Sequence, residues 1–250
     1  MSRLSFVYLR YRSSRSCASL LATAALLFLA LPSVLVSQSD PSNIDVRLFR
    51  GINNSRSQLL TSVVDVTDYS VSPIVVAAPI GLTLYGLAAD RGEAFDSGVL
   101  LGSAEVISYS IRYILKVGFK RDRPYQALTD VHIGHLESAD PYSFPSGHAT
   151  GAFALATLLT LRYPRAEVYV PAFLWAGMVG YGRIYLGLHY PTDVLGGALI
   201  GAGSSLLVFH YQEKILPMVR SLIGKKASDN VSAIVVPAGG GAIMDITVRF

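Results

Sequence analysis

The side chains most able to do chemistry fall in short stretches: Lys116 with six residues between it and Arg123-Pro124, Ser146-Gly147-His148 after Pro145, and Arg183 followed by His189 and Asp193. Lysine and arginine are long cations whose natural target is an oxyanion, arginine as a planar fork and lysine as a point charge. Ser146 reads as the N-cap of a helix over Ala149–Leu161. The N–H groups of such a first turn make an anion site, and Gly147 lets an anion come close to the backbone. His148 then sits at the helix mouth. His189 and Asp193 are four apart where the last apolar helix begins, with Pro191 suited to its first turn. That spacing predicts a carboxylate close to one imidazole nitrogen, the other being left basic and able to act as a nucleophile. Lys116 and Arg123 lie about two helical turns apart, and Pro124 disfavours helix at Arg123, so the chain should leave the helix there. Each feature alone has a plainer reading: a helix cap, a structural His–Asp hydrogen bond, solvated surface charge.

The elements that must hold these residues are apolar. Ser72–Ala89, Ser97–Leu115, Ala149–Leu161, Val168–Tyr181 and Val194–Phe209 read as helices of a bundle. Gly197 and Gly201, four apart in the last, would let helix backbones approach closely, although tolerated glycines in an ordinary core helix fit equally well. An unbroken apolar run, Ala18–Val36, follows Arg3, Arg10, Arg12 and Arg15. It fits a retained membrane span of roughly 20 apolar residues, and it also fits a cleaved signal peptide. In an up-and-down bundle Lys116–Arg123 follows the third apolar segment, Ser146–His148 precedes the fourth and Arg183–Asp193 bridges the fifth and sixth. All then land at one end, where a single phosphate touches them all.

The chain has 250 residues, 51% hydrophobic and 15% charged, with a mean hydropathy of +0.43. About 25% charged is usual for a soluble domain, so the charge deficit, more than the apolar fraction, is the unusual feature; disorder is excluded, and the length allows one domain or a membrane bundle with short tails. One cysteine, Cys17, excludes a disulfide scaffold and a cysteine zinc site. Net charge is +4 and pI about 9.2, but no basic stripe interleaved with aromatics points to nucleic acid. Threading six spans with the N-terminus inside places Arg91, Arg162, Arg165, Lys214, Arg220, Lys225 and Lys226 in the cytoplasm, in line with the positive-inside tendency, while Lys120 and Arg121 fall outside. Asp40–Ser70 is amphipathic and should lie along the membrane surface or cap the bundle. Val231–Phe250, with Gly239-Gly240-Gly241 as its turn, reads as a β-hairpin.

The expected organisation is therefore an N-terminal span or signal (1–39), an amphipathic segment (40–70), an all-α bundle (71–212) of about six helices in total, and a tail with a short hairpin (213–250). No Asp/Glu/His cluster has magnesium or zinc spacing, so no metal or other cofactor is expected.

Together, the stretches around Lys116–Arg123, Ser146–His148 and Arg183–Asp193 resemble the signature of the type-2 phosphatidic acid phosphatase superfamily, over roughly Ser97 to Phe209. That superfamily includes lipid phosphate phosphatases, bacterial acid phosphatases and vanadium haloperoxidases. The resemblance implies that Lys116, Arg123 and Arg183 hold phosphate oxygens, with Ser146 and the Gly147 amide donating hydrogen bonds. His148 would be the general acid, His189 the nucleophile that forms a phosphohistidine, and Asp193 its orienter. The family usually has serine before the last arginine, where this chain has Gly182. The implied activity is metal-independent hydrolysis of a lipid phosphate monoester or a lipid or polyprenyl pyrophosphate, at the outer face of a cytoplasmic membrane. A soluble secreted acid phosphatase and a vanadium-dependent haloperoxidase are the alternatives within the resemblance. Arg123–Pro145, with Tyr125, His132, His135, Glu137 and Tyr142, would form the lid that selects the substrate.

Overall fold

The structure, a computed structural model, describes residues 42–134, 140–223, 231–238 and 241–248. Ala18–Val36, His135, Glu137, Gly239 and Gly240 lie outside the described residues. The helices are α1 (Ile44–Asn53), α2 (Gln58–Ala88), α3 (Gly92–Phe119), a single turn α4 (Pro124–Ala127), α5 (Gly147–Arg162), α6 (Ala166–Tyr185), α7 (Pro191–His210) and α8 (Gln212–Ile223). An antiparallel hairpin, β1 (Val231–Ala238) and β2 (Gly241–Val248), pairs Val231 with Val248 and Ala238 with Gly241. The fold is thus an all-α bundle with a terminal hairpin, as expected.

The five apolar segments expected within the bundle are helical in the described residues, and each helix is longer than its apolar stretch. The largest difference is at α2, one continuous helix across residue 70, where the sequence suggested a change of segment. Its 31 residues reach roughly 46 Å at about 1.5 Å per residue, against a hydrocarbon core of about 30 Å. The composition changes where the helix meets an apolar surrounding; the backbone does not. Helix α1 is the cap among the expected alternatives. Asn43 caps its start by accepting the Asp45 N–H, and Val46 and Phe49 are buried against Ile184 and Tyr190.

Helix α5 runs through the middle. Ala152 and Ala156 meet Val71 and Val75 of α2 and Ala176 and Val179 of α6. Leu155 and Leu158 meet Leu100, Leu101 and Ala104 of α3 and Val208 of α7. The glycine pair of α7 is used for close approach: a Cβ on Gly201 would stand 2.1 Å from the Thr150 carbonyl oxygen, and one on Gly197 2.5 Å from that of Ser146. Only hydrogen fits there, so α5 and α7 are locked in one register.

The outward faces are apolar, with Val106 68% and Leu174 70% exposed. Helices α2 and α7 are each long and apolar enough to cross a membrane. The antiparallel order brings the C-terminal ends of α3 and α6 and the N-terminal ends of α5 and α7 to one end of the bundle, under α1.

Candidate active site

Local sequence places each functional side chain. Lys116 sits in the last turn of α3, which stops where Lys120 takes a left-handed backbone (φ 47°). Arg123 is extended (φ −76°, ψ 154°) ahead of Pro124, which opens α4, and its N–H donates to Gln126 Oε1 at 2.9 Å. Lys116 and Arg123 are therefore not two turns apart on one helix; the break at Lys120 separates them, and Arg123 folds back. Ser146 caps α5, its Oγ accepting from the Ala149 N–H at 3.5 Å. The Ser146 N–H donates to the Asp193 carbonyl at 3.0 Å, joining the two stretches through the backbone. Arg183 lies in the last turn of α6, and Gly187, at φ +78°, makes the turn toward α7 that favours glycine.

The cations converge. Arg183 Nη1 donates to both carboxylate oxygens of Asp68 on α2, at 2.9 and 2.8 Å. Arg123 donates through Nε to the Asp140 carbonyl (2.9 Å) and through Nη1 to the Leu188 carbonyl (3.2 Å), and Nη1 lies 3.4 Å from His189 Nε2. Lys116 Nζ donates to Asp140 Oδ2, the same oxygen that accepts from Arg112 Nη2 at 2.8 Å. A Cβ on Gly147 would lie 2.7 Å from Arg112 Nε, so the missing side chain makes room for that guanidinium beside the α5 mouth. His148 is half-buried in the first turn of α5.

The His189–Asp193 pair has the expected proximity, but not through helical spacing and without a hydrogen bond. Nδ1 of His189 is 3.7 Å from Asp193 Oδ2 and has no hydrogen-bond partner. The reason lies in what else Asp193 holds. Its Oδ1 accepts from Arg121 Nη1 at 2.6 Å, and its Oδ2 accepts from the Tyr190 N–H at 2.7 Å and from the Ser143 hydroxyl. His189 lies one residue outside the cap of α7, so helical four-residue geometry does not apply to it, while Asp193 at the third helical position turns back to its own cap. Burial, then the Arg123, Arg183 and Lys116 cations and His148, push the His189 imidazole well below its ordinary value, so the ring is neutral. A guanidinium only donates, so Nε2 facing Arg123 presents its lone pair and Nδ1, facing Asp193, carries the proton.

Several residues escaped the sequence reading. Arg121, counted as an outer loop charge, is 2% exposed. It binds Asp193, donates through Nη2 to Asp45 Oδ2 on α1 (2.7 Å), and lies 4.1 Å over the Tyr190 ring. Asp45 also accepts from the Thr192 N–H at 3.0 Å. Asp68, Ser143 and Asp140 carried no signal beyond their polarity. Arg112 did: it precedes Lys116 by one turn of α3 and so shares its face. Gly182, where a serine is usual, faces α2; a Cβ there would meet Val64 Cγ1 at 3.2 Å. Among the described residues no group of three or more His, Cys, Asp or Glu could hold a metal.

The family model of the PAP2 superfamily matches residues 97–217, which contain every site residue expected from sequence. Undecaprenyl-diphosphatase BcrC of Bacillus subtilis is 28% identical over 173 residues, covering 69% of this chain and 85% of the relative. The crystal structure of Aquifex aeolicus LpxE is similar with a TM-score of 0.57 at 33% identity, over 66% of this chain and 94% of that one. The transmembrane PAP2 type phosphatidylglycerolphosphate phosphatase from Bacillus subtilis gives a TM-score of 0.59 at 26% identity, over 77% and 96%.

Proposed function

Since this chain belongs to the PAP2 superfamily, we propose that it hydrolyses the phosphate monoester or diphosphate of a membrane lipid through a phosphohistidine on His189. The observation that carries this reading is the buried His189 imidazole, its Nε2 3.4 Å from Arg123 Nη1 and its charge disfavoured by Arg123, Arg183 and Lys116, at the end of a membrane bundle. Relatives named as an undecaprenyl-diphosphatase and a phosphatidylglycerolphosphate phosphatase support a lipid phosphate substrate.

In the first step Nε2 attacks phosphorus in line. The N–P bond forms as the P–O bond to the leaving group breaks, and the leaving oxygen takes the proton of His148. The charge spread over the equatorial oxygens is met by the Lys116, Arg123 and Arg183 cations, by the Ser146 hydroxyl and by the N-terminal amides of α5, beginning with that of Gly147. The Nδ1–H of the phosphorylated ring carries positive charge, and the Asp193 carboxylate 3.7 Å away stabilises it. In the second step His148, now neutral, takes a proton from water. Its oxygen bonds phosphorus, the N–P bond breaks, and phosphate leaves.

The lipid keeps its chains in the bilayer while its headgroup reaches the site. Arg162 and Arg165 lie at the α5–α6 turn, at the opposite end of the bundle, and basic turns favour the cytoplasm. The site therefore belongs to the outer face. Rapid mixing with a radiolabelled substrate and alkaline quench should trap an acid-labile phosphoenzyme in wild-type protein and none in His189→Ala. Label retained by the variant would overturn the assignment.

A further inference from the structure

Asp140 stands among the cations at the site end of the bundle. Its Oδ2 accepts from both Lys116 Nζ and Arg112 Nη2, and its backbone carbonyl accepts from Arg123 Nε. That same Arg123 reaches His189 Nε2 through Nη1, so one of the cations tied to Asp140 lies against the nitrogen assigned above as nucleophile. The burial is graded. The Lys116 side chain is 5% exposed and that of Arg112 20%, whereas the Asp140 side chain is 34% exposed. The carboxylate thus covers its cations from the solvent side. The chain on either side of the site is anchored: Asp122 and Tyr142 form an antiparallel bridge, and the Ser143 N–H donates to the Arg121 carbonyl at 2.7 Å. Asp140 is the carboxylate next to that anchor, two residues before Tyr142.

Carboxylate and phosphate are alternative partners for the same ammonium and guanidinium groups. A buried Lys116 without any anion would be costly, so something must neutralise it in the empty enzyme. We propose that Asp140 is an internal competitor for the phosphate site: its carboxylate holds Lys116 and Arg112 until a phosphate takes them over, and reclaims them when phosphate leaves. The inference rests on the phosphate-binding role given above to Lys116 and Arg123. Its consequence is a sign. A residue that merely oriented Lys116 would weaken phosphate binding when neutralised. A competitor strengthens it, because two cations are released to the ligand and a like charge is removed from beside it. Asp140 acts on the substrate only through Lys116 and Arg112, as a residue that sets affinity and product release.

The test uses full-length detergent-solubilised protein, with inorganic phosphate and orthovanadate as inhibitors of p-nitrophenyl phosphate hydrolysis. Asp140→Asn should lower both inhibition constants by about tenfold or more, the scale of one charge-assisted contact, and should lower KM together with kcat as release slows. Asp140→Ser carries the same expectation, and Asp140→Glu should stay near wild type. Melting gives a second readout: phosphate should raise Tm more in Asp140→Asn than in wild type, since tighter binding to the native state alone raises stability. Inhibition constants that are unchanged or higher in the Asn and Ser variants overturn the inference. Lys116→Ala separates the two levels: if it leaves phosphate inhibition intact, the phosphate-site reading fails; if it abolishes inhibition while Asp140→Asn has no effect, only the competitor fails.

Discussion

Two groups of charge lie at the same end of this bundle and are built differently. In the first, Arg121 is matched to Asp45 and Asp193, and all three are at most 2% exposed. Every partner is enclosed, and removing any one strands a charge in a low-dielectric interior. In the second, Lys116 and Arg112 share a carboxylate that faces solvent. The enclosed group joins α1, the loop after α3 and the start of α7, and so holds Asp193 beside His189. The open group can trade its carboxylate for another anion. The difference separates holding from working: an enclosed ion pair fixes geometry because exchange is expensive, and a half-open one binds ligand because exchange is cheap.

The comparison breaks most visibly at the working residues. His189→Ala should lower activity by at least about 10⁴-fold on a lipid phosphate and on p-nitrophenyl phosphate alike, the scale expected for loss of a nucleophile, with helical circular dichroism retained. His148→Ala should cost about 10²–10⁴-fold on a lipid phosphate, whose alkoxide needs a proton, and far less on p-nitrophenyl phosphate. If both esters fall equally while His189→Ala shows the leaving-group dependence, the two histidine roles are reversed.

The holding side should respond in stability. Arg121→Ala should destabilise by about 3 kcal/mol, the low end for a broken buried pair because Asp45 keeps Thr192. Asp140→Asn leaves Lys116 without its anion, but keeps an amide oxygen to accept its hydrogen bond at a partly solvated site, and should cost measurably less than Arg121→Ala. Denaturant unfolding of the two variants measures the contrast, and equal losses would erase the distinction.

The smallest effect is a pH dependence. His189 has a folded value well below 6.5, while the unfolded chain protonates near 6.5. Its contribution to stability is therefore complete above pH 6.5 and declines as pH falls toward the folded value, because the unfolded state takes up the proton first. Tm measured from pH 7.5 down to 5 should fall less steeply in His189→Asn than in wild type. A parallel slope would mean that the ring is not held neutral.

Much of the site was legible because the deciding interactions are short-range. The apolar runs became helices, Ser146 capped α5, Pro124 kept Arg123 extended, and Gly197 and Gly201 gave α7 its close approach to α5. Spacing plus an antiparallel order then sufficed to put Lys116, Arg123, Ser146, Gly147, His148, Arg183, His189 and Asp193 at one end. Local composition was a poorer guide at α2, where a change of polarity at residue 70 marked the surroundings rather than the end of a helix.

What sequence spacing could not assign was which acceptor each cation takes. Arg183 reaches Asp68 across 115 positions, Arg121 reaches Asp45 across 76, and Lys116 reaches Asp140 across 24. Such pairings have no local propensity behind them. Asp193 shows the consequence most directly. Four residues from His189, it lies close to the imidazole as the spacing predicts, yet Arg121, Ser143 and the Tyr190 N–H take the hydrogen bonds of its oxygens. The sequence determined which charged groups would be present at the site end and on which helices. Only the tertiary structure decided how their limited hydrogen-bonding capacity was shared, because buried donors and acceptors compete by distance in space, and that competition is settled only when the helices are packed.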